Sequence, residues 1–375
     1  MSEIVFLTTY SFNEPVVKNR LTPFMDLALD RGLSVTLVNP AGGNYHRDSD
    51  ERFRHIALEI PQANRGNFLV RTFREMRLAQ KILNSAPRDR DYVFVTIPSM
   101  FLLFLSGRIR ASKRLLDIRD LTWEYLSDKG AVTRLAKRVF RFLGQRKIPT
   151  FDYVSATNRA EESYLAESVG LSSDRVILSP NGISRSQFDS VSPESAHEKN
   201  NSKPLVAYVG NVGVAQNLVT LVDAARRLPD LDFRIVGGGS DYERVAAKAA
   251  DVSNVTMTGR VDWYEIPPVY READVLYAQL SADFAGAMPS KLYEYLATGK
   301  PVIYGGVGEA TEVLSQFDSV KVVQPDDSEA LAAGIRDLIQ DTTGSGTNHS
   351  NRELIAANYI RETAADKFFR QVLDE

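Results

Sequence analysis

Two rhythms of apolar residues alternate along this chain. Short continuous apolar runs, bounded by Gly, Pro, Asn and Asp, read as buried strands, and longer stretches at helical spacing lie between them. Glu3 to Thr9 predicts the first strand. Thr22-Pro23 predicts the cap of a helix ending before Gly32, and Leu33 to Val38 the next strand. Further strands are expected over residues 92–97, 114–118, 153–156 and 176–178. After the polar stretch SVSPESAHEKNNSK (Ser190 to Lys203), a second series follows over 205–209, 233–236, 255–257, 275–278, 302–304 and 320–323. Strand, helix, strand with short connections predicts parallel sheets, so the chain divides into two doubly wound α/β halves joined by a linker. The expected domains are 1–185 and 204–350. TTGSGTNHS (342–350) reads as a loop before a last segment, 351–375, that returns as a helix to the first half.

Composition narrows the function classes. The 375 residues are 43% hydrophobic and 25% charged with a net charge of -3, so there is no basic excess of the kind nucleic-acid binding needs. There is no Cys, which excludes disulfides, thiolate nucleophiles and cysteine metal sites. The four His (His46, His55, His197, His349) are scattered without ligand spacing, so no metal site and no cofactor are expected. No stretch approaches the roughly 18 apolar residues of a spanning helix, and a cytoplasmic location is expected.

Chemistry concentrates in GAMPSKLYEYLATGKPV (Gly286 to Val302). Pro289 and Ser290 suit the start of a helix and Gly299 its end. Stepped at 100° per residue, Leu292, Tyr293, Leu296 and Ala297 fall on one side; Lys291, Glu294, Tyr295 and Thr298 fall on the other. Ser290 and Lys291 at the helix N-terminus could seat a diphosphate, and Glu294 could accept ribose hydroxyls. A solvated ion pair between Lys291 and Glu294 is the alternative reading. In LVAYVGNVGVAQNL, Gly210-Asn211-Val212-Gly213 follows a strand and precedes a helix, where a backbone can approach phosphate. Gly237-Gly238-Gly239 forms a similar turn. Asp230-Leu231-Asp232 spells a DxD, but follows Pro229 at a turn, where solvated acids are common.

Together, YVGNVGVAQNL, FRIVGGGS, VTMTGRV, YREADV and GAMPSKLYEYLATGKPVI, preceded by LSPNGIS, resemble the second domain of family-4 retaining glycosyltransferases of the GT-B fold. The resemblance spans Val176 to Ile339 and is strongest to bacterial O-antigen and capsule sugar transferases, including N-acetylfucosamine transferases. It implies two Rossmann-like domains facing across a cleft and a nucleotide-diphosphate sugar donor held mainly by the second domain without metal; a UDP-sugar is the expected donor. By position it assigns Glu294 to the ribose, Arg260 and Val261 to the base, and Gly213 to the diphosphate loop; Gly210 and Gly238, read from their turns, line the same pocket. Two departures stand out. Gly286 occupies the place of a second Glu that would read the donor sugar, which suggests a deoxy or acetamido sugar. Asn211 and Gln216 replace the usual diphosphate Arg and Lys, leaving Lys291 to supply charge to the leaving group.

On the acceptor side, Asn13, Glu14 and Lys18 follow the first strand, and Asp120 follows the strand RLLDI; Asp120 could equally cap a helix. RLAKRVFRFLGQRK (Arg134 to Lys147) sets Leu135, Val139, Phe142 and Leu143 opposite Arg134, Lys137, Arg138 and Arg141. It reads either as a membrane-docking helix or as a domain helix with its apolar face in the core. Docking would suit a polyprenyl-diphosphate-linked glycan acceptor at the inner face of the membrane. A non-catalytic nucleotide-sugar binding module and a GT-B sugar-nucleotide epimerase are the alternative functions.

Overall fold

The computed structural model describes residues 2–59, 68–88, 90–97, 100–119, 121, 123, 130–192, 203–285, 288–342 and 348–373. The chain forms two compact units, Met1–Asn181 with Arg361–Glu375, and Gly182–Ile360.

Unit 1 carries β1 (Glu3–Leu7), α1 (Pro15–Asp30), β2 (Ser34–Pro40), β3 (Phe53–Leu58), α2 (Phe68–Ser85), β4 (Arg90–Ile97), α3 (Met100–Leu105), β5 (Ala111–Ile118), α4 (Ala131–Lys147), β6 (Tyr153–Ala156), α5 (Arg159–Glu167) and β7 (Val176–Leu178). Its strands are all parallel, in the order β3-β2-β1-β4-β5-β6-β7. The edge strand β3 escapes the apolar-run reading, since Arg54 and His55 interrupt it and one face is left partly open. Helix α1 starts earlier than expected, at Pro15, and Pro23 lies inside it. Proline at the first helical position loses only an N–H that would have had no partner, so Pro15 starts the helix at little cost.

Unit 2 carries α6 (Arg185–Ser190), β8 (Leu205–Val209), α7 (Val219–Arg226), β9 (Asp232–Val236), α8 (Tyr242–Ala249), β10 (Val255–Gly259), α9 (Ile266–Glu272), β11 (Val275–Gln279), α10 (Ser290–Ala297), β12 (Val302–Gly305), α11 (Glu309–Leu314), β13 (Val320–Val323), α12 (Ser328–Thr342) and α13 (His349–Asn358). The parallel order is β10-β9-β8-β11-β12-β13. Both sheets therefore have the doubly wound order, with a switch between the first and fourth strands. The fully buried run LVAYV of β8 is what a central parallel strand requires, because helices cover both its faces.

The terminal segment is two helices. Tyr359, just after α13, stacks on Tyr293 of α10 at 5.0 Å and keeps α13 with unit 2. The last helix, α14 (Arg361–Leu373), rejoins unit 1, where Phe368 and Phe369 meet Phe24 of α1 at 5.4 and 6.0 Å. The first unit ends at Asn181, before the expected linker, and residues 193–202 of that polar stretch lie outside the described residues.

Candidate functional site

In unit 2 the strand order reverses between β8 and β11, and β8 runs directly into the Gly210 turn. Open α/β sheets bind ligands at such a point, beyond the carboxyl ends of the strands. A pocket of about 170 Å³ lies there. Gly210, Asn211, Gly237 and Gly238 supply its backbone rim, Val209, Val236, Val261 and Ile266 its apolar walls, and Arg260 is the charged lining residue. The turns are laced together: Gly210 N–H donates to the Val236 carbonyl (2.9 Å), Val212 N–H to Gly238 (3.0 Å) and Gly237 N–H to Gly259 (2.7 Å). Glycine is required where they stack. Gly237 has φ +142°, and a Cβ there would lie 1.8 Å from the Gly210 carbonyl oxygen.

Helix α10 leans on the same turn. Tyr295 Oη donates to the Val209 carbonyl (3.0 Å) and accepts from its N–H (2.8 Å), locking the helix to the end of β8. Gly299, at φ +70°, takes the left-handed position after the last turn, as the sequence suggests. Helix α10 is not open along one side as its periodicity predicts. Tyr295 and Thr298, expected on the open side with Lys291 and Glu294, are buried: the end of β8 covers Tyr295, and Thr298 Oγ1 donates to the Tyr295 carbonyl (2.5 Å).

Lys291 and Glu294 are not a solvated ion pair either. The Lys291 ammonium lies 3.8 Å from the centroid of the Tyr208 ring and donates to the Tyr208 hydroxyl, which in turn donates to the Asn211 carbonyl (2.5 Å). Burial pulls the Lys291 pKa down to about 7, against the opposing charge of Glu294. Glu294 accepts from Tyr270 Oη of α9 at 2.8 Å. Gly213 packs against the Asn211 and Gln216 amides, which bond to each other at 3.2 Å. Ser290 is exposed at the helix start.

The structure thus gathers Gly210, Asn211, Gly238, Arg260 and Val261 at one pocket, with Lys291 on its Gly210 rim. Gly286 and Asp120 lie outside the described residues. Sequence reasoning missed Tyr208 and Tyr270, whose positions in an apolar strand and an amphipathic helix read as plain core. The DxD acids stand at the amino end of β9, the end away from the glycine turns, and Asp230 pairs with Arg336 at 3.4 Å.

In unit 1, Asn13, Glu14 and Lys18 are exposed after β1, with Asn13 packed on Gly42 and Gly43 beyond β2. In RLLDIRD, Asp117 is the acid among the described residues. It is fully buried and accepts from Arg20 Nη2 (2.6 Å), Arg20 Nε (3.2 Å), Thr96 Oγ1 (3.0 Å) and Ser155 Oγ. Arg20 Nη1 also donates to the Ser179 carbonyl (2.8 Å), two residues before the unit ends.

Helix α4 overturns the expectation that its Leu135, Val139 and Phe142 could fill the core. They are 64, 43 and 51% exposed. The packed side is instead the half-buried Phe140, against Phe101 and Phe104 of α3, and the buried Gly144, against which Trp123 lies. Arg134, Arg138 and Arg141 are exposed with the apolar stripe; Lys137 is half-buried.

Residues 203–341 match the family of glycosyl transferases group 1. WcaI, a glycosyl transferase assigned to colanic acid biosynthesis in Escherichia coli (strain K12), is 25% identical over 303 residues, covering 74% of this chain and 73% of that protein. Among solved structures, a glycosyltransferase from Rickettsia africae superposes with a TM-score of 0.72 at 16% identity, over 100% of this chain and 99% of that one. HepE of Anabaena in complex with UDP-glucose superposes with a TM-score of 0.69 at 16% identity, over 100% of both chains. The chain therefore has the GT-B fold, and its second unit carries the group 1 glycosyl transferase match.

Proposed function

We propose that this protein is a metal-independent, retaining hexosyltransferase that moves a sugar from a UDP-sugar to a lipid-linked glycan in bacterial surface polysaccharide synthesis. The observation that carries the reading is the glycine-rimmed pocket at the switch point of unit 2, with the Lys291 amine packed on its rim and Glu294 one turn further along α10.

Glycosyl transfer builds negative charge on the departing diphosphate. Lys291 and the N–H groups opening α10 would meet that charge, the form of stabilisation that dominates most enzymatic barriers. Glu294 would accept the ribose hydroxyls while Tyr270 fixes its other oxygen. Val261 and Arg260 would hold the base. In a retaining, front-face reaction the leaving phosphate oxygen takes the acceptor proton, so no protein base is assigned. Asp120, Asn13, Glu14 and Lys18 are proposed for the acceptor side. UDP is favoured because HepE is solved with UDP-glucose, and a deoxy or acetamido sugar because Gly286 leaves no carboxylate at its position. WcaI supports a polysaccharide product, of the O-antigen type in this proposal.

The acceptor reading adds a surface. Besides the α4 stripe, α2 exposes Phe73 at 47%, with Arg77 stacked on it at 4.4 Å, and both helices pack on α3. Apolar side chains framed by Arg and Lys suit the headgroup region of an anionic leaflet. This supports a peripheral position at the inner face of the membrane and a polyprenyl-diphosphate-linked acceptor.

A thermal-shift panel of UDP-, GDP- and dTDP-sugars, followed by donor hydrolysis with and without EDTA, tests the proposal. The expected result is stabilisation by UDP-sugars and slow, EDTA-insensitive release of free sugar. Binding without turnover would make the protein a nucleotide-sugar binding module, and no shift with any nucleotide would refute the donor site.

A further inference from the structure

Lys291 is held before any donor arrives. Its long side chain starts in the first turn of α10, crosses the face of the Tyr208 ring and ends at the Tyr208 hydroxyl. That ring is fully buried in β8 beside Tyr277, at 6.4 Å between centroids. Its hydroxyl already donates to the Asn211 main-chain carbonyl, so its lone pairs point back to the amine and the hydrogen bonds run in one direction, Lys291 to Tyr208 to Asn211. The amine comes to rest over Gly210, where a Cβ would be only 2.6 Å from Nζ. Glycine at 210 thus makes room for the ammonium as well as for the turn.

We propose that Tyr208 is a positioning residue for the donor: its ring and hydroxyl hold the Lys291 amine over Gly210, at the place the diphosphate of a nucleotide sugar occupies. The inference rests on the donor-site reading above. A free lysine side chain has many rotamers to lose on binding, and fixing it in advance removes that cost from the binding step. Burial keeps the Tyr208 hydroxyl protonated through the neutral range, so the relay persists whichever state Lys291 adopts. The charged group acting on Lys291 is Glu294 on its own helix. From β8 it faces Tyr208, and from α9 Tyr270 reaches Glu294.

The test is calorimetric binding of UDP-glucose and of uridine, which lacks the diphosphate, between pH 6 and 9. The proteins are the full chain, Tyr208→Phe, Lys291→Ala and the double variant. Tyr208→Phe keeps the buried ring and removes only the hydroxyl. It is expected to weaken UDP-glucose roughly 3- to 10-fold, to leave uridine unchanged, and to have no further effect once Lys291 is Ala. Its affinity should also begin to fall at lower pH than in the wild type, because the ammonium has lost its acceptor. UDP-glucose affinity equal to wild type in Tyr208→Phe but not in Lys291→Ala would overturn the positioning role and leave the donor site standing. Equal losses for uridine and UDP-glucose in Tyr208→Phe would make the tyrosine merely structural. No loss in Lys291→Ala, or no binding of either UDP-glucose or UDP by the wild type, would remove the donor reading itself.

Discussion

Replacing Asp117 by Asn would leave the Arg20 guanidinium buried without its counter-charge while keeping the side-chain shape. Asp117 is 0% and Arg20 7% exposed, and the carboxylate takes hydrogen bonds from Arg20, Thr96 and Ser155. Breaking a pair so thoroughly removed from water costs about 3–5 kcal/mol, because the surviving charge has nothing to compensate its lost hydration. For a unit of this size each kcal/mol lowers the Tm by about 2–4 °C, so the unit 1 transition should fall by roughly 6–20 °C. Differential scanning calorimetry reads this directly, with the unit 2 transition as an internal reference. The pH dependence follows from the pKa direction. Burial alone pushes the Asp117 carboxyl up, but the charge and hydrogen bonds of Arg20, with Ser155, outweigh it and hold the group below the usual carboxylate range. Its contribution is therefore complete above about pH 4, the unfolded value, and disappears as pH falls through the folded one. The gap between wild type and variant should be constant from pH 8 to 5 and close below about pH 4. The double variant Arg20→Met with Asp117→Leu should recover much of the loss, since neither charge remains buried. A variant melting within about 2 °C of wild type at pH 7 would refute the argument.

Glu294→Ala should weaken nucleotide-sugar binding by about 10- to 100-fold, the value of charge-assisted hydrogen bonds, with the fold kept and the Tm lowered by a few degrees because the buried Tyr270 hydroxyl loses its acceptor; unaltered affinity for UDP-glucose would reject the ribose assignment. Gly210→Ala places a methyl where the Lys291 amine sits, at a backbone φ of +142°; donor affinity should fall at least about tenfold while uridine binding falls less, and equal losses for both would count against the amine's role. Replacing Lys137, Arg138 and Arg141 by Glu should greatly reduce co-sedimentation with anionic vesicles, at about 1 kcal/mol per charge removed near the surface, and undiminished binding would refute membrane docking. Affinity for UDP-glucose should drop as pH rises above 7, by up to about tenfold per unit, because the free amine titrates at about 7; a flat profile from pH 6 to 9 would show that Lys291 does not meet the phosphates.

The sequence by itself determined the parallel, twice doubly wound architecture, because continuous apolar runs bounded by Gly and Pro can be buried on both faces only in such sheets. It also determined the glycine turns, since backbones stacked as closely as Gly237 on Gly210 exclude any side chain. The edge strand β3 was hidden, because an edge strand can carry charges that a central one cannot. Only the tertiary structure decided what covers each face. Periodicity showed that α4 and α10 are two-sided, yet the α4 stripe of Leu135, Val139 and Phe142 stands open while Tyr295, on the expected open side of α10, is buried against β8. Likewise nothing in RLLDIRD marks Asp117, until the packing of α1 on the sheet brings Arg20 from 97 positions away onto it. Tyr208 meets Lys291 across 83 positions for the same reason. Local spacing sets which side chains share a face, but the partner waiting opposite is set by the order in which distant strands and helices pack.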